Sequence, residues 1–260
     1  MLPPLDQIHL WFAIDTDCPA DLLEMYQRQY LSPDELVRGA RFHFERDRRQ
    51  FAVTRALVRT VLSRYADIEP HEWRFGKGEF GRPFILNQDA PKLSFNLSHT
   101  HGMVVLAVSQ FPVMGVDVED FVQRAAPLDV ANAYFSPREV ADLTALPLEA
   151  QQERFFHYWT LKESYIKAEG RGLNIPLDQF SMLIAQDGAV DIAFHGLPET
   201  PNWHFWLMQA KPGVLTALCV RSELTQAPTL VMREGLPTLP ERELRPQLVR
   251  QSILPARGHT

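Results

Sequence analysis

Cysteine is nearly absent from this chain. Cys18 and Cys219 are the only two in 260 residues. Two thiols so far apart in sequence supply neither a disulfide scaffold nor a CxxC metal site, so a reduced, cytoplasmic protein is expected. No apolar run approaches the ~20 residues that a membrane span requires. The first fifteen residues have no basic region and carry Asp6 and Asp15, which argues against a secretory signal. Positive charge is in deficit as well. Lys and Arg number 26 against 32 Asp and Glu, a formal charge of −6, which is a poor composition for a general nucleic-acid binder. The phosphate loop GxxxxGK[ST] and the GxSxG nucleophile elbow are both missing. Glycine (13) is scarcer than proline (20), so turns are fixed and no flexible low-complexity tract is present.

What is there reads as a globular α/β protein. Hydrophobic residues make up 45% and charged residues 22%, enough apolar surface for one large core or two smaller ones. Ile8–Ile14 reads as an opening strand. Ser32-Pro33-Asp34-Glu35 has the order of a helix start, with a cap residue, proline at the first helical position and acids in the first turn. Asp47–Arg64 reads as a long helix with Val53, Leu57 and Val61 as its buried stripe. LSFNL and MVVLAVS read as strands separated by an SHTHG loop, and GVDVE as another strand. Ser136-Pro137-Arg138-Glu139 repeats the helix start, with Glu139 in capping-box position. Glu153–Glu169 reads as a helix stopped by Gly170, and four strand-like pieces follow between Phe180 and Val220. Each half thus holds a Ser-Pro helix start, a long helix and strands, which suggests two α/β halves meeting near Pro112–Gly115. The expected division is 1–112, 113–225 and a proline-rich, charged, peripheral tail, 226–260.

Several groups of residues carry chemistry. Asp117 and Glu119 stand two apart on a strand and so share a face. Paired carboxylates there suit a divalent cation with oxygen ligands, or equally a solvated strand end that Asp120 prolongs. On the helix FFHYWTLKESYIKAEG, ~100° per residue places Trp159, Ile166 and Phe156 on one face with Phe155. Glu163 falls inside that aromatic stripe and Lys167 at its edge. A carboxylate there needs a partner; a surface ion pair with Lys167 and a ligand role both satisfy the pattern. Arg38–Arg64 holds eight arginines against two acids. Arg48, Arg55 and Arg59 form a stripe opposite the buried one, expected as a solvated face, whereas Arg38 and Arg41 precede that helix and suit an anion. Asn96-Leu97-Ser98-His99 between two strands, and the turn Lys77-Gly78-Glu79-Phe80-Gly81-Arg82, offer further phosphate contacts. A polyphosphate ligand with a carboxylate-held metal would unite all of these.

GVDVE followed about forty residues later by WTLKESYIKAEGRGL resembles the signature pair of the 4′-phosphopantetheinyl transferases. RFHFERD, FNLSHT and GRP strengthen the resemblance, which runs from roughly Leu31 to Val220 and is closest to the larger bacterial, two-half type. The resemblance implies an α/β (α+β) fold of two similar halves forming an intramolecular pseudo-dimer with the active site between them. It implies transfer of 4′-phosphopantetheine from coenzyme A to a serine of apo acyl, polyketide or peptidyl carrier proteins, with release of 3′,5′-ADP. Asp117, Glu119 and Glu163 match its Mg²⁺ ligands, Mn²⁺ suiting the same oxygen donors. Lys167 matches the lysine on the pyrophosphate. His99 with Ser98 matches the group near the 3′-phosphate. Arg38, Arg41, Lys77, Arg82 and Asn96 match contacts on the coenzyme A side. Glu163 and Glu139 are both candidates for the base that takes the serine proton. Carrier docking is expected along Phe121–Phe135 with Arg124 and Arg138. The resemblance further implies a monomer, in the cytoplasm, binding neither nucleic acid nor membrane. A non-catalytic coenzyme A binder and a metal-dependent phosphohydrolase are the competing readings.

Overall fold

The computed structural model describes residues 2–252 except 124, 127 and 199. The chain opens with β1 (Gln7–Ala13), followed by α1 (Ala20–Gln29), α2 (Pro33–Ala40) and α3 (Glu45–Leu62). Two hairpins follow, the short β2 (Phe75–Lys77) with β3 (Pro83–Ile85), and β4 (Ser94–Thr100) with β5 (Met103–Ser109). The second hairpin is tight because His101-Gly102 alone joins its strands, Gly102 taking a φ of 72°. Ser98, His99 and Thr100, expected in a loop, therefore belong to β4.

A second unit begins at Val113. It contains β6 (Met114–Asp120), α4 (Leu128–Tyr134), α5 (Pro137–Thr144), α6 (Leu148–Glu169), the hairpin β7 (Phe180–Ile184) with β8 (Val190–Phe194), and the longer hairpin β9 (Trp203–Lys211) with β10 (Val214–Arg221). The remaining strands are β11 (Thr229–Glu234), β12 (Arg242–Glu243) and β13 (Gln247–Gln251). The first unit is Met1–Pro112 with Thr229–Arg245; the second is Val113–Pro228 with Pro246–Thr260.

The segment from 226 is thus no peripheral tail. β11 runs parallel to β1, from Gln7 opposite Thr229 to Phe12 opposite Glu234, in a sheet ordered β12-β11-β1-β5-β4. Leu236 packs against that unit's core, and the buried Tyr26 hydroxyl donates to the Pro237 carbonyl. β13 pairs antiparallel with β9 in the other sheet, ordered β13-β9-β10-β6. Composition misleads here because the prolines lie in the connections before and between these strands, while the edge strands β12 and β13 accept charge that central strands exclude.

Each unit packs one long helix on its sheet. In the first, Val53, Leu57 and Val61 of α3 are buried, together with Trp11, Val104, Leu106 and Val108. The opposite arginine stripe is not solvated as expected. Arg59 is only 2% exposed. It pairs with Glu35 at 2.9 Å and donates to the carbonyls of Pro70 and Trp73. Arg55 takes the other oxygen of Glu35 at 2.8 Å, and Arg48 donates to the carbonyls of Phe42 and His43. Glu35 also closes the capping box of α2 on Ser32. One carboxylate thus caps the start of a helix and pairs with two cations of the next.

The second unit repeats the device. Ser136 and Glu139 form the capping box of α5, and Glu139 pairs at 2.9 Å with Lys162 of α6. Both side chains are 0% exposed. Lys162 completes its donors on the carbonyls of Leu177 and Phe180, at 2.6 Å each. The two cysteines are free and buried, and burial pushes the Cys18 thiol up to about 11, outside the range of a reactive thiolate.

Removing one partner from such a pair strands the rest. Glu35→Ala leaves Arg55 and Arg59 without their counter-charge and α2 without its cap. It should cost about 3 kcal/mol, read as a lower urea midpoint at unchanged m value; a shift within error would show that the arginines re-solvate freely. A pH effect follows from His157, buried on α6. Burial, with Arg250 and Arg154 adding to it, pushes its pKa down from 6.5 to about 3. The folded state holds the ring neutral while the unfolded chain protonates near 6.5, so this contribution is present above pH 6.5 and lost as pH falls toward 3. His157→Phe should therefore gain stability relative to the parent progressively below pH 6.5 and differ by a constant above it. Parallel stability curves through the whole range would refute the assignment.

Candidate active site

The site grows from one close approach. Gly115, Asp117 and Glu119 alternate onto the same face of β6, and α6 packs on that face. A β-carbon at Gly115 would stand 2.1 Å from the carbonyl oxygen of Ser164 and 2.5 Å from the amide of Ala168. Both are backbone atoms, so only glycine permits the contact. Two residues further along β6, Asp117 accepts from Lys167 Nζ at 2.6 Å. At the next position on that face, Glu119 accepts from Trp159 Nε1 at 3.0 Å. The order of contacts shows strand and helix passing in opposite directions. Trp159, Glu163 and Lys167 lie four residues apart and form the half-exposed stripe of α6. Glu163 sits one turn from each of the two residues that hold Asp117 and Glu119.

This corrects the helical-wheel expectation. Glu163 does not lie inside a single buried stripe. Helix α6 is covered over most of its circumference: Phe155, Phe156, Tyr158, Leu161, Tyr165 and Ile166 are all buried. Tyr165 packs against Phe180 and Trp203, at 4.7 and 4.9 Å between ring centroids. With apolar residues on nearly every side, the wheel has no single buried face to find, and Glu163 marks the open one.

Glu139 is also corrected. Its carboxylate accepts from the Met182 amide at 2.7 Å, the Ser136 amide at 2.8 Å and Lys162 at 2.9 Å. Fully buried and saturated, it cannot take a proton from a substrate hydroxyl, and Glu163 remains as the side-chain candidate for the base.

The basic candidates belong to the first unit. A cavity of about 240 Å³ is lined by Arg38, His99, Gln50 and Thr54 among others. A second, of about 450 Å³, is lined by Arg38, Arg55, Arg74 and Lys77 together with Asp34, Glu35, Phe51, Phe75 and Pro83 among others. The guanidinium of Arg38 stands 5.5 Å from the Phe51 ring centre. Arg41 caps the C-terminal end of α2 in an exposed position and Arg82 follows Gly81 in the β2–β3 turn; neither lines these two cavities. Ser98 and His99 do not act as a neighbouring pair. As adjacent strand residues they point to opposite faces, so His99 faces the cavity with Leu97 while Ser98 and Asn96 lie buried on the other side. Along the expected docking segment, Val122 and Tyr134 are exposed, Arg138 is exposed at the start of α5, and Arg124 lies outside the described residues.

Sequence reading missed three residues that shape this site. Gly115 was read only as the edge of a strand motif, though a glycine at that alternation was the available signal for close packing. Trp159 was counted as core, and nothing local marks its indole as a donor to Glu119. Lys162 gave no signal at all, since its partner lies on another helix. Asp117, Glu119 and Glu163 offer hard oxygen donors from a facing strand and helix. Among the described residues, however, no three His, Cys, Asp or Glu side chains are already grouped as a metal cage; the negative charge of Asp117 is met by Lys167.

Comparison with known proteins decides the family. Residues 113–219 match the family model described as the 4′-phosphopantetheinyl transferase superfamily, and residues 20–111 the one described as 4′-phosphopantetheinyl transferase, N-terminal. The chain is 35% identical over 191 residues to the 4′-phosphopantetheinyl transferase Sfp of Bacillus subtilis (strain 168), covering 73% of this chain and 82% of that one. The chain belongs to the 4′-phosphopantetheinyl transferase family. It is also 33% identical to the Bacillus subtilis transferase ffp, covering 80% of this chain and 90% of that one. With the HetI transferase of Nostoc sp. (strain PCC 7120) it shares 38% identity, over 65% and 70% of the respective chains. The two family matches abut where the two units divide, and each match carries one long helix and part of the sheet it packs on.

The Gly115 contact lets α6 approach β6 closely enough for Lys167 to reach Asp117. Gly115→Ala must push α6 off β6 and should cost ~3 kcal/mol or more together with most of the activity. Gly78→Ala is the control, since its β-carbon would meet only the Arg82 carbonyl at 3.7 Å. Equal melting temperatures for the two variants would contradict the close-packing argument.

Proposed function

We propose that this enzyme transfers the 4′-phosphopantetheine group of coenzyme A to a serine hydroxyl of an apo acyl, polyketide or peptidyl carrier protein. The serine oxygen forms a bond to the phosphorus bearing pantetheine, the pyrophosphate P–O bond breaks, and 3′,5′-ADP leaves. What supports this reading is the β6–α6 crossing, in which Lys167 meets Asp117 and Trp159 meets Glu119 on the helix stripe that also carries Glu163, in a member of this family.

Each group has a role its chemistry suits. Lys167 presents an ammonium group to the pyrophosphate, exchanging one anionic partner, Asp117, for another. Arg38, Lys77 and His99 suit the phosphates of the nucleotide portion. Glu163, half-exposed on α6, would accept the serine proton. Asp117, Glu119 and Glu163 would hold Mg²⁺, or Mn²⁺ with the same hard oxygens. The ion would offset the charge that builds as the diphosphate bond breaks. Among the described residues no helix is long and apolar enough to cross a membrane. With two free thiols, a monomer working in the cytoplasm is the proposed setting.

Intact-protein mass spectrometry tests the proposal. Apo carriers of fatty-acid, polyketide and nonribosomal-peptide type are incubated with the enzyme, coenzyme A and Mg²⁺, with and without EDTA. The expected result is a gain of one phosphopantetheine, lost on chelation. Glu163→Gln should show no gain while still binding coenzyme A. Coenzyme A binding without transfer to any carrier would favour a binding protein, and hydrolysis of coenzyme A without carrier a phosphohydrolase. Full turnover by Glu163→Gln would remove that residue from both its roles.

A further inference from the structure

We infer that Trp159 is a positioning residue that fixes how Glu119 offers its oxygens to a divalent cation, and so biases the site toward small octahedral ions over Ca²⁺. The inference rests on the reading of Glu119 as a metal ligand. An indole N–H only donates, so Trp159 cannot itself be a ligand. It acts on Glu119 through the 3.0 Å hydrogen bond to Oε1.

The ring is not free to follow the carboxylate. It stacks on Phe155, one turn earlier on α6, at 6.0 Å between centroids and 10° between planes. Tyr134 of α4 meets it edge-on at 6.1 Å and 77°. Phe155 is buried in the core of this unit, packed at 5.0 Å against Phe135. The donor is therefore anchored by the hydrophobic core, and the carboxylate must come to it.

The consequence is chemical. An oxygen engaged by a fixed N–H is a poorer donor to a cation, and the anchored indole restricts the orientations in which both oxygens can face one ion together. Glu119 is thereby biased toward one-oxygen binding. Mg²⁺ demands near-octahedral geometry with few protein oxygens, whereas Ca²⁺ takes six to eight ligands and favours two-oxygen carboxylates. The indole penalises the second arrangement and leaves the first intact.

Trp159→Phe keeps an aromatic ring in the stack and deletes the donor. Transfer is measured against Mg²⁺ concentration, then at fixed Mg²⁺ with added Ca²⁺. The variant should need about tenfold more Mg²⁺ for half-maximal rate, be inhibited by Ca²⁺ at a severalfold lower ratio, and recover most of the parent rate at saturating Mg²⁺. A second readout needs no change at Trp159. In the ¹⁵N-tryptophan-labelled full-length enzyme, the indole resonance displaced by Glu119→Gln identifies Trp159, and Mg²⁺ alone, without coenzyme A or carrier, should shift that same resonance. Wild-type Mg²⁺ requirement and Ca²⁺ tolerance in Trp159→Phe, with both lost in Glu119→Gln, would overturn the positioning role. An unchanged Mg²⁺ requirement in Glu119→Gln would instead overturn the ligand reading beneath it.

Discussion

At Gly115 the backbone of β6 lies so close to α6 that no side chain fits between them. A strand and a helix normally keep the distance their side chains impose. Here one missing β-carbon removes that spacer, and the carboxylates two and four residues along come within hydrogen-bond reach of Lys167 and Trp159. The rest of the second unit serves this contact. Aromatic residues pack around most of α6 and leave it little freedom to rotate, so the stripe carrying Glu163 stays on the open side.

Charge is handled alike in both units. A glutamate at the third position of a Ser-Pro helix closes the capping box and then accepts cations from the long helix that follows: Glu35 takes Arg55 and Arg59, Glu139 takes Lys162. Buried pairs of this kind add little net stability over apolar residues of equal volume, but losing one partner is costly. Each pair joins a short helix to the long one that follows. In the second unit the buried Lys162 adjoins the half-exposed Glu163 in sequence, ~100° of helix rotation turning one inward and the other outward.

Much of the local structure was legible. The Ser-Pro starts, the capping box at Glu139, the Gly170 stop and the 2-residue alternation of GVDVE all follow from backbone stereochemistry and short-range hydrogen bonding. The buried stripe of Val53, Leu57 and Val61 is also as expected, but several inferences about which other faces meet what failed. The arginines of α3 looked solvated because nothing near them in sequence reveals Glu35 as their partner. Ser98 and His99 looked like a loop pair because a two-residue turn cannot be told from a longer one by composition. Glu139 looked available for chemistry because the capping box says nothing of Lys162 or the Met182 amide.

By itself the sequence determined the element types, the alternation that puts Asp117 and Glu119 on one face, and the motif pair that marks the family. These depend on neighbours within a few residues, where torsional preference and hydrogen-bond reach are encoded directly. Only the tertiary structure decided that Lys167 meets Asp117, that Trp159 holds Glu119, that Glu139 is buried, and that the last strands enter both sheets. Those contacts join residues more than twenty positions apart, and a pairing at that range is set by the packing of whole faces, a property no short stretch of chain possesses.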